Sequence, residues 1–329
     1  MLKNTTLTTL QQQKNLLAFS GGGDSTALLF LLLEHNIPFD IAIVDYGLRL
    51  QSKEEVAYAK ALAQRYNFTC HTLLAPHIDS NFEAKARAVR YDFFEQLIAE
   101  HHYTTLLTAH HLGDRFEWML MQFCKGAGCV EMAGMQAQEN KQNYSLIRPL
   151  LHLDKAELLA YLHKEDIHYF EDASNNNPNY KRNAFRHAHT QPLLKEYLSG
   201  IKQSFAYLDA DVQNLIHDVT LHTLEDFAYF VASHEQRSDI YHIDQYLKRK
   251  GYLLSSHEKA LLAKQQSVVI ARKMLIVQAD NYVFILPYVR NVTMNKQFKE
   301  EMRRLRIEPK MRPYLFLHPN VKQLLLSLL

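Results

Sequence analysis

The chain has 329 residues, of which 47% are hydrophobic and 22% charged, enough to bury one large core or two smaller ones in an ordinary globular composition. A formal net charge of +2 excludes any argument for a nucleic-acid partner from total charge alone, and the three cysteines, Cys70, Cys124 and Cys129, form no C-x-x-C pair. They exclude a disulfide scaffold, a zinc ribbon or a locally held iron–sulfur cluster and fit a reducing cytoplasm.

The first chemical signal is residues 15–33, "NLLAFSGGGDSTALLFLLL". Residues 15–19 read as a buried strand and 24–33 as a helix, so Ser20 to Gly23 must turn the chain between them. Gly21, Gly22 and Gly23 permit positive φ and close backbone approach, while the helix N-terminus offers unpaired N–H donors. Phosphate is the natural guest. The run is neither a Walker A loop nor G-x-G-x-x-G, and a plain turn capped by Asp24 or Ser25 stays open at this point. The apolar run 27–33 ends at Glu34, far short of a bilayer span, and the polar N-terminus lacks a signal layout, so no membrane segment is expected.

Strand candidates follow at 40–44, 68–74 and 104–108, separated by helical patterns at 53–66 and 82–101. This alternation predicts an α/β fold with a doubly wound parallel sheet. Ligands of such sheets bind at the carboxyl ends of strands, so Ser20 to Ser25, Asp45, His110 and Asp114 should converge. Asp154 opens a helix to residue 164, and the polar segment 170–186, "FEDASNNNPNYKRNAFR", is long enough to be functional. From about residue 191 the pattern turns helical. From about 238 it becomes a small mixed α+β unit, with "SVVIARKMLIV" and "YVFIL" as a hairpin turning at Asp280 and Asn281. Residues 296–322 interleave Arg303, Arg304, Arg306, Lys310 and Arg312 with Tyr314 and Phe316, a basic run or a solvated face. The expected division is 1–190, a catalytic domain; 191–237, a helical connecting segment; and 238–329, a small C-terminal domain in contact with RNA.

At "SGGGDS" the chain resembles the PP-loop pyrophosphatases. Further motifs narrow the likeness: "VDYGLR" at 44–49, "NFEAKARAVRY" at 81–91, "TAHHLGDRFE" at 108–117, "GAGCVEMAGM" at 126–135, "RPLL" from 148 and "EDASNNNPNYKRNAFR" at 171–186. Together they resemble the bacterial tRNA(Ile)-lysidine synthetase family over roughly the first 190 residues. The remainder is similar only to the family's shorter form with a single C-terminal domain. The resemblance implies ATP-dependent joining of free L-lysine to C2 of the wobble cytidine in the isoleucine tRNA with a CAU anticodon. Cytidine O2 attacks the α-phosphate, pyrophosphate leaves, and the lysine ε-amine then displaces AMP. Lysidine pairs with A rather than G.

For that chemistry, Ser20, Gly21, Gly22, Gly23 and Ser25 would cradle ATP phosphates, with Asp24 and Asp45 as ligands to Mg²⁺. Asp114 with His110 would deprotonate the incoming lysine. Arg90 and Arg182 would stabilise charge on the phosphoryl group, and Asn81, Glu83 and Arg87 would contact substrate. Two positions depart from the family pattern: Tyr46 replaces a histidine and Gly113 a second aspartate, which leaves the number of Mg²⁺ ions open. The reaction implies a cytoplasmic protein, with a homodimer left open. The rival enzyme is a tRNA-thiolating PP-loop protein, which would need catalytic or cluster cysteines. A catalytically inactive tRNA-binding relative is the second rival, and a small-molecule amidotransferase-like ligase, without a glutaminase nucleophile here, is the third.

Overall fold

The computed structural model describes residues 1–329 apart from 48, 49, 79, 172–183, 280 and 329. It divides into two compact units, Met1–Asp209 and Ala210–Leu329.

The first unit opens with α1 (Asn4–Gln11), β1 (Asn15–Ala18), α2 (Gly23–Glu34), β2 (Phe39–Asp45), α3 (Leu50–Tyr66), β3 (Cys70–Leu74), α4 (Phe82–His101) and β4 (Thr105–Leu107). It continues with α5 (Leu112–Phe123), α6 (Cys129–Ala133), β5 (Gln138–Asn140), β6 (Ser145–Ile147) and α7 (Lys155–Lys164). A five-residue π-helical turn, Arg186–Thr190, leads into the helix Gln191–Leu215. The strands form a six-stranded sheet in the order β3-β2-β1-β4-β6-β5. It is parallel except at β5, which pairs antiparallel with β6. That edge hairpin adds an antiparallel strand to a sheet expected as wholly parallel, a common ending for doubly wound sheets.

Alternation along the strands sends side chains to two cores. Leu17, Phe19, Ile41, Ile43, Leu107 and Ile147 pack with residues of α2, α3 and α7. Leu16, Ala42, Leu106 and Leu146 point the other way, against Phe94, Leu97 and Ile98 of α4. Asp154 caps α7 in a reciprocal box, accepting from the Ala156 N–H while Glu157 accepts from the Asp154 N–H, a device its sequence announces. The order reverses between β1 and β4, so the crevice at their carboxyl ends is the ligand position of this topology.

The second unit holds a five-stranded antiparallel sheet ordered β7 (His222–Leu224), β8 (Phe227–Val231), β11 (Tyr282–Pro287), β10 (Met274–Gln278) and β9 (Ser267–Ile270). The stretch 191–237, expected to be helical throughout, is helical only to Leu215 and then contributes β7 and β8. "SVVIARKMLIV", expected as one strand, is two. Ala271 and Arg272 adopt φ of 49° and 58° and fold β9 back on β10; without glycine or Asn-Gly the turn carries little sequence signal. Asp280, in the expected second turn, lies outside the described residues.

This sheet also separates two cores. Ala228, Phe230, Ile276 and Ile285 pack with Ile243 and Leu247. Phe227, Leu275, Phe284 and Leu286 pack with Phe298, Met302, Tyr314 and Leu315. The aromatic half of the basic run is therefore structural. Tyr314 is buried and stacks on His318, and Phe316 packs edge-on against Phe298. Arg312 donates to the Ile307 carbonyl, whereas Arg303, Arg304, Arg306 and Lys310 are exposed.

Candidate active site

Beyond Ala18 the chain stays in register for one residue, the Phe19 N–H bonding the Ala42 carbonyl at 2.9 Å, and then turns. Gly21 has φ +76°, and the Phe170 N–H donates to its carbonyl at 2.9 Å. A β-carbon at Gly21 would stand 3.3 Å from the Phe170 ring, and one at Gly23 the same distance from Leu159. Glycine is thus required by conformation at the first position and favoured by close packing at the second. Ser25 is buried; its hydroxyl donates to the Gly22 carbonyl at 3.1 Å and accepts from the Ser20 N–H at 3.2 Å. Ser20 and Ser25 thereby shape the loop from within. The Gly22 cap of α2 has no side-chain hydrogen bond, which leaves the first-turn N–H groups the donor array that anions occupy.

Asp24 stands in that first turn. Its Oδ1 is buried and has no hydrogen-bond partner among the described residues, and its Oδ2 lies 3.8 Å from His111 Nε2 and 3.9 Å from Lys155 Nζ. An orphaned buried carboxylate oxygen beside a phosphate cradle fits a hard divalent cation.

His111 arrives from the end of β4. It is the N-cap of α5, and its Nδ1 accepts the Gly113 N–H at 3.0 Å, so the neutral ring carries its proton on Nε2. Nε2 stands 3.6 Å from Asp114 Oδ2, between that carboxylate and Asp24. A β-carbon at position 113 would lie 2.7 Å from His111 Cε1. Gly113 therefore makes room for the imidazole where an aspartate was expected from the family pattern.

Asp114 also faces Arg186 at 3.2 Å, and Arg186 Nε bonds the buried Glu117 at 2.7 Å. Burial raises the Asp114 pKa, but His111, His110, Arg186 and the His111 N–H outweigh it and bring it down to about 2. The carboxyl group remains ionised. His110 is half-buried, its Nδ1 2.9 Å from Thr108 Oγ1.

The structure brings the loop residues Ser20 to Ser25 together with the β4–α5 junction. Asp45 ends β2, and its Oδ1 accepts the Gly47 N–H at 2.8 Å. Tyr46 donates to the Ala86 carbonyl of α4 at 3.0 Å, and burial raises its pKa against the lowering effect of Arg90. Tyr46 thus anchors α4 to the end of β2. Asn81, with φ 50°, begins α4, and it, Glu83, Arg87 and Arg90 are exposed there. The Arg87 guanidinium lies 4.6 Å over the Tyr91 ring. Among the described residues, no hydrogen bond or ion pair joins Asn81, Arg87 or Arg90 to the glycine loop. Arg182 lies outside the described residues.

Sequence reasoning passed over His111, Glu117, Lys155 and Arg186. His111 had a signal, the residue directly before a helix with a carboxylate at N3. Arg186 closes the same motif as Arg182, and only the fold shows it reaching Asp114 and Glu117 of α5.

Comparison with known proteins adds three findings. A family model described as a PP-loop domain matches residues 2–193. The chain is similar to the tRNA(Ile)-lysidine synthase of Wolinella succinogenes, 44% identical with 94% of each chain covered. It is 42% identical to that of Helicobacter pylori (95% of this chain, 92% of the relative) and 38% to that of Campylobacter jejuni RM1221 (96% and 97%). Among solved structures, the U34-tRNA thiolase NcsA of Methanococcus maripaludis with its [4Fe-4S] cluster superposes with a TM-score of 0.53 at 17% identity, covering 66% of this chain and 78% of that one. At that identity the likeness is one of fold alone.

Proposed function

The chain belongs to the PP-loop family and, within it, to the tRNA(Ile)-lysidine synthases, and from that membership we infer that it is an ATP-dependent ligase forming lysidine at the wobble cytidine of isoleucine tRNA. Free L-lysine is the second substrate in this reading, the anticodon is CAU, and the cytoplasm supplies all three substrates. The observation that carries it is the convergence on His111 Nε2 of Asp24, from the phosphate-loop helix, and Asp114, from the helix after β4.

In the first step cytidine O2 attacks the ATP α-phosphate and pyrophosphate leaves. The N–H groups at the start of α2 hold the phosphates, and Asp24, with Asp45 from the end of β2 as the second candidate ligand, would hold Mg²⁺, which neutralises phosphate charge when bound. Arg90 and Arg182 remain our candidates for countering charge on the phosphoryl group, and Asn81, Glu83 and Arg87 for substrate contact. In the second step the lysine ε-amine bonds to C2, the C2–O bond to AMP breaks, and the ammonium proton must go to a base. A carboxylate with a pKa of about 2 is a poor acceptor. Asp114 therefore serves as the anion that favours protonation of an imidazole. His111 Nδ1 is engaged by the helix cap. His110, whose Nδ1 lies 2.9 Å from Thr108 Oγ1, is our candidate for that acceptor.

The direct test incubates pure protein with ATP, labelled lysine and tRNA carrying the CAU anticodon, then digests the RNA to nucleosides. Labelled lysidine is the expected product, and its absence would sink the reading. Replacing Cys70, Cys124 and Cys129 together by Ala should leave the rate within about threefold, since no step uses a thiol. Loss of turnover in a variant that melts like wild type would point instead to sulfur transfer.

The exposed Arg303, Arg304 and Arg306 are proposed phosphate contacts for the tRNA body. Methionine tRNA shares the CAU anticodon, so discrimination needs contacts elsewhere. Neutralising all three should weaken tRNA binding and flatten its salt dependence, each lost contact lowering the slope by somewhat less than one. Unchanged slope and affinity would mean a solvated face.

A further inference from the structure

The chain has a single tryptophan, Trp118, and it is 46% exposed. It lies on α5 four residues after Asp114, and this spacing puts the two side chains on one helix face, one turn apart. The opposite face is the buried one: Leu112 and Phe116 pack with Leu194, Ile201 and Phe205. Further along the outward stripe come Met121 and Gln122, half-buried, and then Lys125, exposed in the turn that closes the helix.

The indole is not loosely placed. Gly134, at φ +64°, lies directly against it, and a β-carbon there would stand 2.6 Å from Trp118 Cδ1 and 3.2 Å from Nε1. Glycine is thus required by both its φ and the ring, and the indole is held by backbone from the segment after α6 while nearly half its surface faces solvent. A large aromatic ring that is half-exposed and held in place beforehand offers a flat apolar face to a planar ligand with little ordering left to do on binding. An aromatic surface one helical turn from Asp114, with the Lys125 ammonium beyond it, matches the needs of a single RNA strand, whose bases stack on rings while cations follow its phosphates.

We propose that Trp118 is a stacking platform for the anticodon-loop base adjacent to the wobble cytidine, presenting that cytidine to Asp114 and the phosphate loop. The inference rests on the lysidine-forming reading and extends it to a base subsite. Stacking is tolerant of base identity, so the platform contributes affinity and register, and discrimination between isoleucine and methionine tRNAs falls to other contacts.

The single tryptophan makes the test direct. Titrating the full-length protein with a CAU anticodon stem–loop should quench tryptophan emission saturably. A stem–loop with an abasic nucleotide at one of the two positions flanking the wobble cytidine should bind without that quench, which identifies the stacked base. Trp118→Leu keeps apolar bulk but has no π-face. It should weaken stem–loop binding about 5- to 150-fold and raise KM for tRNA, leaving KM for ATP and lysine unchanged, while Trp118→Phe should recover much of the loss. The abasic arm uses wild-type protein and so does not depend on how the variants fold. Wild-type protein that forms lysidine, yet shows no change in emission at saturating RNA and no loss on Trp118→Leu, would overturn the platform alone. Wild-type protein that forms no lysidine would overturn the reading beneath it as well.

Discussion

Asp24→Asn should lower lysidine formation by about 100- to 1,000-fold, the range for removing one preorganised charge partner of a transition state, while leaving the thermal melt close to wild type. The side chain sits in the first turn of α2 with one oxygen buried and unpartnered among the described residues and the other near His111 and Lys155 at 3.8 and 3.9 Å. Neither contact is short enough to hold the fold. Burial of an oxygen without a hydrogen bond is unfavourable in the isolated chain, so the native carboxylate is kept for what it binds rather than for packing. The amide conserves shape and removes charge. The loss should appear in the pyrophosphate-releasing half-reaction, measured as ATP–pyrophosphate exchange or single-turnover adenylation. A variant with wild-type adenylation would remove Asp24 from the phosphate and metal site.

Asp114→Asn should also be severe, on the order of 100-fold or more, with a different signature. Asp114 is an ionised carboxylate gathered by His111, His110 and Arg186. Neutralising it removes the anion that favours proton uptake by the imidazole, so AMP displacement should slow more than adenylation. Adenylated tRNA should then accumulate in single-turnover reactions and be chased by added lysine only slowly. Equal slowing of both steps would mean that Asp114 acts on the phosphates or their metal. His110→Gln, which leaves Asp114 and its Arg186 partner in place, should reproduce the displacement defect if His110 is the acceptor. A His110→Gln variant with normal displacement would move the proton to another group.

Much of this site could be read in one dimension because its parts are local. Gly21 requires a positive φ, the strand-to-helix turn follows from apolar runs on either side, and Asp154 and Glu157 announce a helix start three residues apart. The doubly wound class follows in the same way, since strands alternating with helices of 12 to 20 residues leave few other connections, whereas the order of the strands comes from the structure.

What the sequence by itself determined is therefore the phosphate loop, the α/β class of the first unit and the family. What only the tertiary structure decided is the set of partners. His111 lies between Asp24 and Asp114, because the helix cap engages its Nδ1 and Gly113 leaves space for the ring. Arg186 closes on Asp114 and Glu117 across about 70 residues of chain, and Tyr314 is core rather than an RNA-facing ring. Spacing along a chain reports neighbours within a few residues, where backbone geometry is common to all proteins. Which distant charges meet, and which aromatic faces water, depends on how sheets and helices stack, and that is settled by the whole core at once.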